Sequence, residues 1–517
     1  MTAEKTHPLL GVETRLRHLL PAELYVHTWL TPKTETLLQA HEHLRTLYHT
    51  LFDYVPRSVA NANLKPGTIR WEWQTGTLMF TDLVGFTTLL ESYSTSGETG
   101  AMQLMEIVNS YFGRIIEIIG VSDGQLLEFT GDAVLVQFLS NRFQNDTEQA
   151  VNTALRMQRA MAEFKEVPTP RGPVSLSMRV GIHVGRYLVG QIGTPRRMAQ
   201  VLLGTDIRTT KLAEGGGVAG RVNLTTSAFE RVSKSYRTES GTEEQYHLII
   251  DDLTEEQLGT YDLGSFVGRR IPSSLIMDKS VAGLTDALGD LLDRLEPLAA
   301  YLPQPVLDMV VEEVDRKIGI KATFADLTIM FVNLIGLSEN INRCSEDEAG
   351  MVVARFSEIF ALMNAAVETN GGVLKHVTYH LNGADMLIYF GLPNAHANNA
   401  ARAAHTADAI RRIVMAAQSP YGADEKLAVK IGLSRGTVFA AEVGAPRGRR
   451  EFNILGDSVN VAARLMGVAE PNQILLTEAI YHDVWQEFDI EPLPKRIPLK
   501  GKSRAIPVFS VLAPIRE

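Results

Sequence analysis

Four phrases of this sequence occur twice, in the same order and at nearly one spacing. "YVPRSV" (Tyr54–Val59) is echoed by "YLPQPV" (Tyr301–Val306). "FTDLVGFT" (Phe80–Thr87) returns 251 positions later as "FVNLIGLS" (Phe331–Ser338), and "MRVGIHVGR" (Met178–Arg186) returns at the same spacing as "VKIGLSRGT" (Val429–Thr437). "GRVNLTTSAF" (Gly220–Phe229) is echoed 252 positions on by "NQILLTEAIY" (Asn472–Tyr481). A unit of roughly 200 residues is too long for a solenoid repeat and fits two copies of one globular domain.

Within a copy, apolar strand-like runs alternate with helical patterns. "GTLMF" and "AVLVQF" read as buried strands, "GAMQLMEIVNSYFGRIIEIIG" and "TEQAVNTALRMQRAMAEF" as helices, and "VSLSMRVGIHVG" as a further strand. The alternation argues for an α/β or α+β sandwich. We expect an N-terminal helical extension over residues 1–55, a first domain over 56–235, a linker with a helix over 236–300 and a second domain over 301–517. A Leu-patterned segment precedes each copy: Leu37, Ala40, Leu44, Leu47, Leu51 and Tyr54, then Leu284, Leu288, Leu291, Leu295, Leu298 and Leu302. Three heptads are short for a coiled coil, so each segment is expected to pack on its own domain.

Composition narrows the function. A net charge of −10 disfavours a general nucleic-acid or anionic-membrane binder. No run of about 18 apolar residues predicts membrane insertion. One cysteine, Cys344, excludes an internal disulfide and suits a reducing, cytoplasmic setting. The scattered histidines form no zinc motif.

The phrase "FTDLVGFT" ends a buried strand on Asp82, and "LLEFTGDAVLVQF" places Asp132 after Gly131 between two apolar runs that read as a hairpin. If the strand pairs with the hairpin, the two acids face one point. Carboxylates that close repel unless one is protonated or a cation lies between them. A hard divalent ion that shares its shell with phosphates is the natural cation. The turn after Asp82 offers backbone N–H groups at a helix start, which suits a phosphate.

With "RVGIHVG", "NILGDSVNVAARL" and "PLKGKSRAIPVFSV", these motifs resemble the successive signatures of the class III nucleotide cyclases, over roughly residues 50–235 and 300–515. The two-copy layout is similar to the C1 and C2 pair of soluble adenylyl cyclases. The resemblance implies two ferredoxin-like βαββαβ domains packed head to tail as an intramolecular pair. It implies composite sites at their interface and ATP as substrate, with two Mg²⁺ ions for which Mn²⁺ can substitute. By position it implies metal ligation by Asp82, Leu83 and Asp132, and phosphate contacts from Gly85, Phe86, Thr87, Arg179 and Lys500. Asn460 matches the ribose-orienting asparagine and Arg464 the transition-state arginine; four apart, they share one helix face.

The other cleft shows the reverse pattern. Asn333 and Ala384 stand at the metal positions, and Asp385, one place later on a strand, is expected to point to the opposite face. Arg208 and Leu212 replace Asn460 and Arg464. In soluble adenylyl cyclases this pocket takes bicarbonate. Here its positions carry Glu128 and Lys211, expected to close it as an ion pair. For the purine, the resemblance points to Asn453 and to either Lys375 or His376, leaving ATP favoured over GTP. "PRGRRE" (Pro446–Glu451) reads as a solvated hairpin tip and "EGGG" (Glu214–Gly217) as a flexible turn. The expected activity is adenylate cyclase. A guanylate cyclase, or a nucleotide-sensing scaffold with an unknown regulatory partner, is the alternative.

Overall fold

The computed structural model describes residues 7–62, 64–140, 145–258, 278–314, 319–337, 341–380, 383–419, 426–445, 448–494 and 505–515. Four helices lead: α1 (Glu13–Leu19), α2 (Ala22–Leu30), α3 (Thr34–Tyr54) and α4 (Arg57–Ala62). The first copy follows as β1 (Arg70–Val84), α5 (Phe86–Tyr93), α6 (Gly97–Val121), β2 (Gln125–Thr130), β3 (Ala133–Leu139), α7 (Asp146–Ala160) and β4 (Ser177–Thr194). It continues through β5 (Arg197–Leu203), α8 (Thr205–Gly215), β6 (Val222–Thr225), α9 (Thr226–Val232), β7 (Thr238–Ser240) and β8 (Tyr246–Ile249). Helices α10 (Val281–Ala299) and α11 (Gln304–Glu313) lead to the second copy. That copy comprises β9 (Thr323–Ile335), α12 (Glu346–Thr369), β10 (Gly372–His380), β11 (Gly383–Phe390), α13 (Asn399–Ala416) and β12 (Ala428–Gly444). It ends with β13 (Arg450–Leu455), α14 (Asp457–Val468), β14 (Ile474–Thr477), α15 (Glu478–Val484), β15 (Phe488–Pro492) and β16 (Val508–Pro514).

The two sheets have one topology. The first runs β2-β3-β1-β4-β6-β8-β7 with β5 on β4, and the second β10-β11-β9-β12-β14-β16-β15 with β13 on β12. The leading four strands of each give the ferredoxin-like order. Strands buried on both faces explain the near-continuous apolar runs. Along β1, Met79 and Leu83 face their own helices α6 and α7, while Leu78 and Phe80 join a core shared with the second copy. That is the period of two expected of a pleated strand.

Strands β7 and β8 complete the first sheet, and Leu258 packs in its core, so the first domain extends well past residue 235. The expected linker therefore starts later; residues 259–277 lie outside the described set. Helix α12 has a window apolar and long enough to cross a membrane, but Val352, Phe356, Phe360 and Met363 spend that surface in the shared core.

The Leu-patterned segments do not each pack on their own domain. Helices α3 and α10 pack on each other, with Leu37, Leu44, Leu47, Leu51, Leu284, Leu288, Leu295 and Leu298 in one buried cluster. Each stripe supplies the apolar surface the other needs, so three heptads suffice where no free coiled coil has to stand alone.

The halves meet about a pseudo-two-fold. Asn109 on α6 accepts from Gly444 N (3.1 Å) and donates to Glu442 O (3.2 Å). Ser357 on α12 makes the mirror contact, accepting from Gly193 N (2.9 Å) and donating to Gly193 O (3.3 Å). The leader segments cross over. Arg449 of the second copy donates to the carbonyl of Tyr54, which precedes the first, and Arg197 of the first copy donates to Tyr301 O (2.8 Å), which precedes the second.

Candidate active site

Asp82 lies near the end of β1, directly opposite Arg179 on β4. The Arg179 guanidinium contacts Asp82 Oδ2 at 2.5 Å and Glu214 Oε1 at 2.9 Å. Asp132 sits in the turn between β2 and β3, after Gly131 at φ +72°, a conformation that glycine adopts without strain. Burial first, and then the neighbouring Asp82 charge, push the Asp132 carboxyl up to about 8. An acid so placed is short of positive charge, which is the condition a divalent cation relieves. Among the described residues no group of three or more His, Cys, Asp or Glu side chains converges. Two carboxylates, a backbone carbonyl and phosphate oxygens suit magnesium, which seldom takes an all-protein cage. The Leu83 side chain is buried in the core, so only its carbonyl is offered.

Gly85 (φ +95°) starts helix α5, and a side chain there would strike Ser175 O at 2.6 Å. Phe86 is buried and Thr87 exposed, so the first turn presents its amides beside Asp82. Lys500 lies outside the described residues.

Across the interface, the Asp132 turn rests on β13 of the second half. Asn453 Nδ2 donates to Gly131 O at 3.0 Å, and a methyl on Gly131 would lie 4.0 Å from Leu455. β13 runs straight into α14, where Asn460 is exposed and Arg464 half-buried, one turn apart.

Lys375 and His376 stand at a bulge in β10. His376 keeps the ladder position opposite Leu387, while Lys375 is the extra residue after Leu374. Both side chains gather on Glu451. Lys375 Nζ donates to Glu451 Oε1 (2.9 Å) and to His376 Nδ1 (2.8 Å). Burial, then the Lys375 charge, lower the His376 pKa to about 4, so the ring is neutral with its proton on Nε2.

Four expectations fail for physical reasons. Asp385 does not turn away from the second cleft: it pairs in register with Asn333 and accepts from its Nδ2 at 2.7 Å. Directly opposed residues of a ladder share a face, so Asp385 corresponds to Ala133 and Ala384 to Asp132. Glu128 and Lys211 form no contact ion pair. Lys211 Nζ donates to Tyr379 O (2.6 Å), while both buried Glu128 oxygens lack a hydrogen-bond partner and burial pushes that carboxyl up to about 7. Arg449 and Arg450 are interior braces, not a solvated tip. Arg450 pairs with Asp53 and Glu442, each at 3.1 Å, and burial pulls the Arg449 pKa down to about 10; Pro446 and Arg447 lie outside the described residues. Glu214 is not in a loose turn: it lies in the last turn of α8, buried against Arg179. Glu214 and Glu451 escaped the sequence reading, although each is an acid close to a position the motifs had marked.

The catalytic-domain signature called "Adenylate and Guanylate cyclase catalytic domain" matches residues 72–256 and 320–511, most of the chain. The chain belongs to the adenylate and guanylate cyclase family. Adenylate cyclase type 10 of Rattus norvegicus is 24% identical over 84% of this chain, and that of Homo sapiens 21% over 88%. The chain spans only 26% and 28% of those relatives' lengths. Among solved structures, a class III adenylyl cyclase-like ATP-binding protein from Pseudomonas aeruginosa aligns over 86% of this chain and 92% of its own, at TM-score 0.53 and 13% identity. That likeness carries the paired fold and nothing finer. Class III cyclases work as paired catalytic domains on a nucleotide substrate, and both domains of the pair are present in this one chain.

Proposed function

We propose that this chain is an adenylate cyclase that converts ATP to 3′,5′-cyclic AMP and pyrophosphate at one of its two interface clefts. The observation that carries the reading is the lopsided placement of side chains. The acids Asp82 and Asp132 stand in the first half, and the Asp132 turn is bonded to the strand that leads to Asn460 and Arg464 in the second. The type 10 adenylate cyclase relatives support ATP over GTP.

In this mechanism the ribose 3′-oxygen attacks the α-phosphorus. The new O3′–P bond forms as the bond to the β-phosphate oxygen breaks, pyrophosphate leaves, and the 3′ proton passes to solvent. Asp82, Asp132 and the Leu83 carbonyl would hold two Mg²⁺ ions, or Mn²⁺. Such ions supply charge neutralisation along the triphosphate and acidify the 3′-hydroxyl. The amides of Gly85, Phe86 and Thr87 cradle phosphate at the start of α5. Arg464 meets the charge that develops on the α-phosphate, and Asn460 holds the ribose. Arg179 and Lys500 take the remaining phosphate charge, and Glu214 holds Arg179 independently of Asp82. The other cleft, with Asn333, Ala384 and Leu212, holds no ions and has no transition-state arginine.

Incubation of the purified chain with ATP or GTP and Mg²⁺ or Mn²⁺ tests this. Cyclic AMP and pyrophosphate in equal amounts are expected, and Asp82→Ala and Arg464→Ala should each lower both by about 10²-fold or more. Cyclic GMP as the main product would make it a guanylate cyclase. A chain that binds ATP and releases no pyrophosphate in this assay would instead be a nucleotide sensor.

A further inference from the structure

Arg179 faces two acids at once. Its Nη2 donates to Asp82 Oδ2 at 2.5 Å, and its Nε lies 2.9 Å from Glu214 Oε1 as an ion pair. Asp82 is one of the acids that the cyclase reading gives to a cation; Glu214 is not. Glu214 is also the more enclosed of the two, with 8% of its side chain exposed against 27% for Asp82.

The fold holds Glu214 at this spot. Gly181 stands two residues beyond Arg179 on β4, and so on the same face. A methyl group on Gly181 would lie 2.2 Å from Glu214 N, so α8 touches the strand here and its last turn sets the acid beside the guanidinium. The second half repeats this approach with other side chains. A methyl group on Gly432 would lie 2.4 Å from Met466 N, and Lys430, two residues before Gly432, stands opposite Asn333. Asp82, Arg179 and Glu214 therefore correspond to Asn333, Lys430 and Met466. The additional acid accompanies the half whose first strand ends on an acid, and is replaced by methionine in the half that carries an amide there.

A guanidinium and a divalent cation compete for one carboxylate, and they repel each other. A cation on Asp82 thus requires Arg179 to release its 2.5 Å contact. A partly buried guanidinium left without counter-charge is costly, and that cost would fall on cation binding. We propose that Glu214 is a positioning residue for the cation site: it receives Arg179 when Asp82 ligates a divalent ion, and so sets the affinity of that site. The assignment rests on the cation role of Asp82 in the cyclase reading and adds what controls it.

The experiment titrates Mn²⁺ alone onto the full chain and counts bound ion from the EPR signal of free Mn²⁺. Glu214→Gln should weaken binding by about fivefold or more. Glu214→Asp keeps the charge but withdraws the carboxylate by one methylene, and should weaken binding by about threefold or more. The charge of Glu214 also reaches Asp132, where it adds to burial and to Asp82 in opposing ionisation. Wild-type affinity in Glu214→Asp would mean that Glu214 acts through that field alone, and overturns the assignment. Arg179→Met removes the competitor and should tighten binding by about threefold or more. No tightening overturns the assignment as well, with position 214 untouched. Mn²⁺ bound equally by wild type and Asp82→Ala would remove the site, and the assignment with it. If these shifts appear in a chain that makes no cyclic AMP, the cyclase reading falls and the role of Glu214 stands.

Discussion

The two clefts between the halves are built on matching strands, and they answer the same electrostatic problem in opposite ways. In one, β1 brings Asp82 opposite Arg179, and a tight turn adds Asp132, whose burial leaves charge to be compensated. In the other, β9 brings Asn333 opposite Lys430, and Asn333 turns its amide to Asp385. The first arrangement is unfinished without a ligand. The second meets part of its demand within the protein, with Lys211 capped by a carbonyl of the opposite half, while the buried Glu128 oxygens find no hydrogen-bond partner among the described residues. An amide in place of an acid lets Asn333 be met by a neighbouring carboxyl group, with no cation needed.

The sharpest way to break this contrast is to remove an acid from one side and to restore acids to the other. Asp132→Ala should lower cyclic AMP formation by more than about 10³-fold, because the ions go with the carboxylate. Restoring acids to the other cleft, with Asn333→Asp and Ala384→Asp together, should leave the rate within about twofold, since Leu212 offers no charge to a transition state. A rate that doubles or more on restoration would show that cleft to be competent.

Next in size is Arg464→Ala. Loss of one transition-state donor is worth roughly 2.7–4 kcal/mol, a factor of about 10²–10³ in kcat. Nucleotide affinity should change little if the arginine acts only in the transition state. A variant that raises KM and spares kcat would instead place Arg464 among the ground-state contacts.

The sequence disclosed the duplication, the fold and the asymmetry of the clefts because each is written in local patterns. Buried strands read as apolar runs, and Asp82 and Asp132 are flanked by glycine turns that only a few backbones tolerate. What it hid depends on contacts across the pair. Nothing local says that the stripe of α3 meets that of α10, because each looks like a helix seeking its own domain. The extra residue in β10 has no signature in composition, so the sequence does not show that Lys375 and His376 flank a bulge. Glu214 sat beside three glycines and read as a turn, though the helix continues through it to Gly215. Asp385 was misplaced by one error of reference: alternation was counted from Ala384, when its partner across the ladder was Asn333.

A smaller effect separates the clefts through stability and not through rate. Glu128 is pushed up from 4.5 to about 7, chiefly by burial, and Lys211 opposes that rise. A raised folded-state pKa means that the folded chain retains a proton the unfolded chain has released. The stability this group contributes is full below about 4.5 and is lost as pH rises through about 7. Glu128→Gln cannot ionise. It should match wild type near pH 5 and exceed it at pH 8 by on the order of 2–3 kcal/mol. Denaturant titrations at the two pH values measure this. Equal gains at both would mean that the carboxyl does not titrate in this range.

The last contrast lies where the leader segments cross. Tyr54 donates its hydroxyl to Glu442 at 2.5 Å, and its repeat, Tyr301, donates to Gln191 at 2.8 Å. The two acceptors occupy matching positions on β12 and β4, so geometry is nearly held constant while charge differs. Hydrogen bonds to charged groups contribute about 1.5–3 kcal/mol, and neutral ones about 0.5–1.5 kcal/mol. Tyr54→Phe should therefore destabilise the chain more than Tyr301→Phe, by about 1 kcal/mol in denaturant titrations. The inequality has a structural reason to exist: Glu442 also holds Arg450, which in turn holds Asp53 at the end of α3. Removing the Tyr54 hydroxyl thus disturbs a charged network that fastens the leader helix to β13, whereas among the described residues the Gln191 side chain bonds Gln200 beside Tyr301. Equal losses would mean that Arg450 alone satisfies Glu442, and that the two crossings are mechanically equivalent despite their different chemistry.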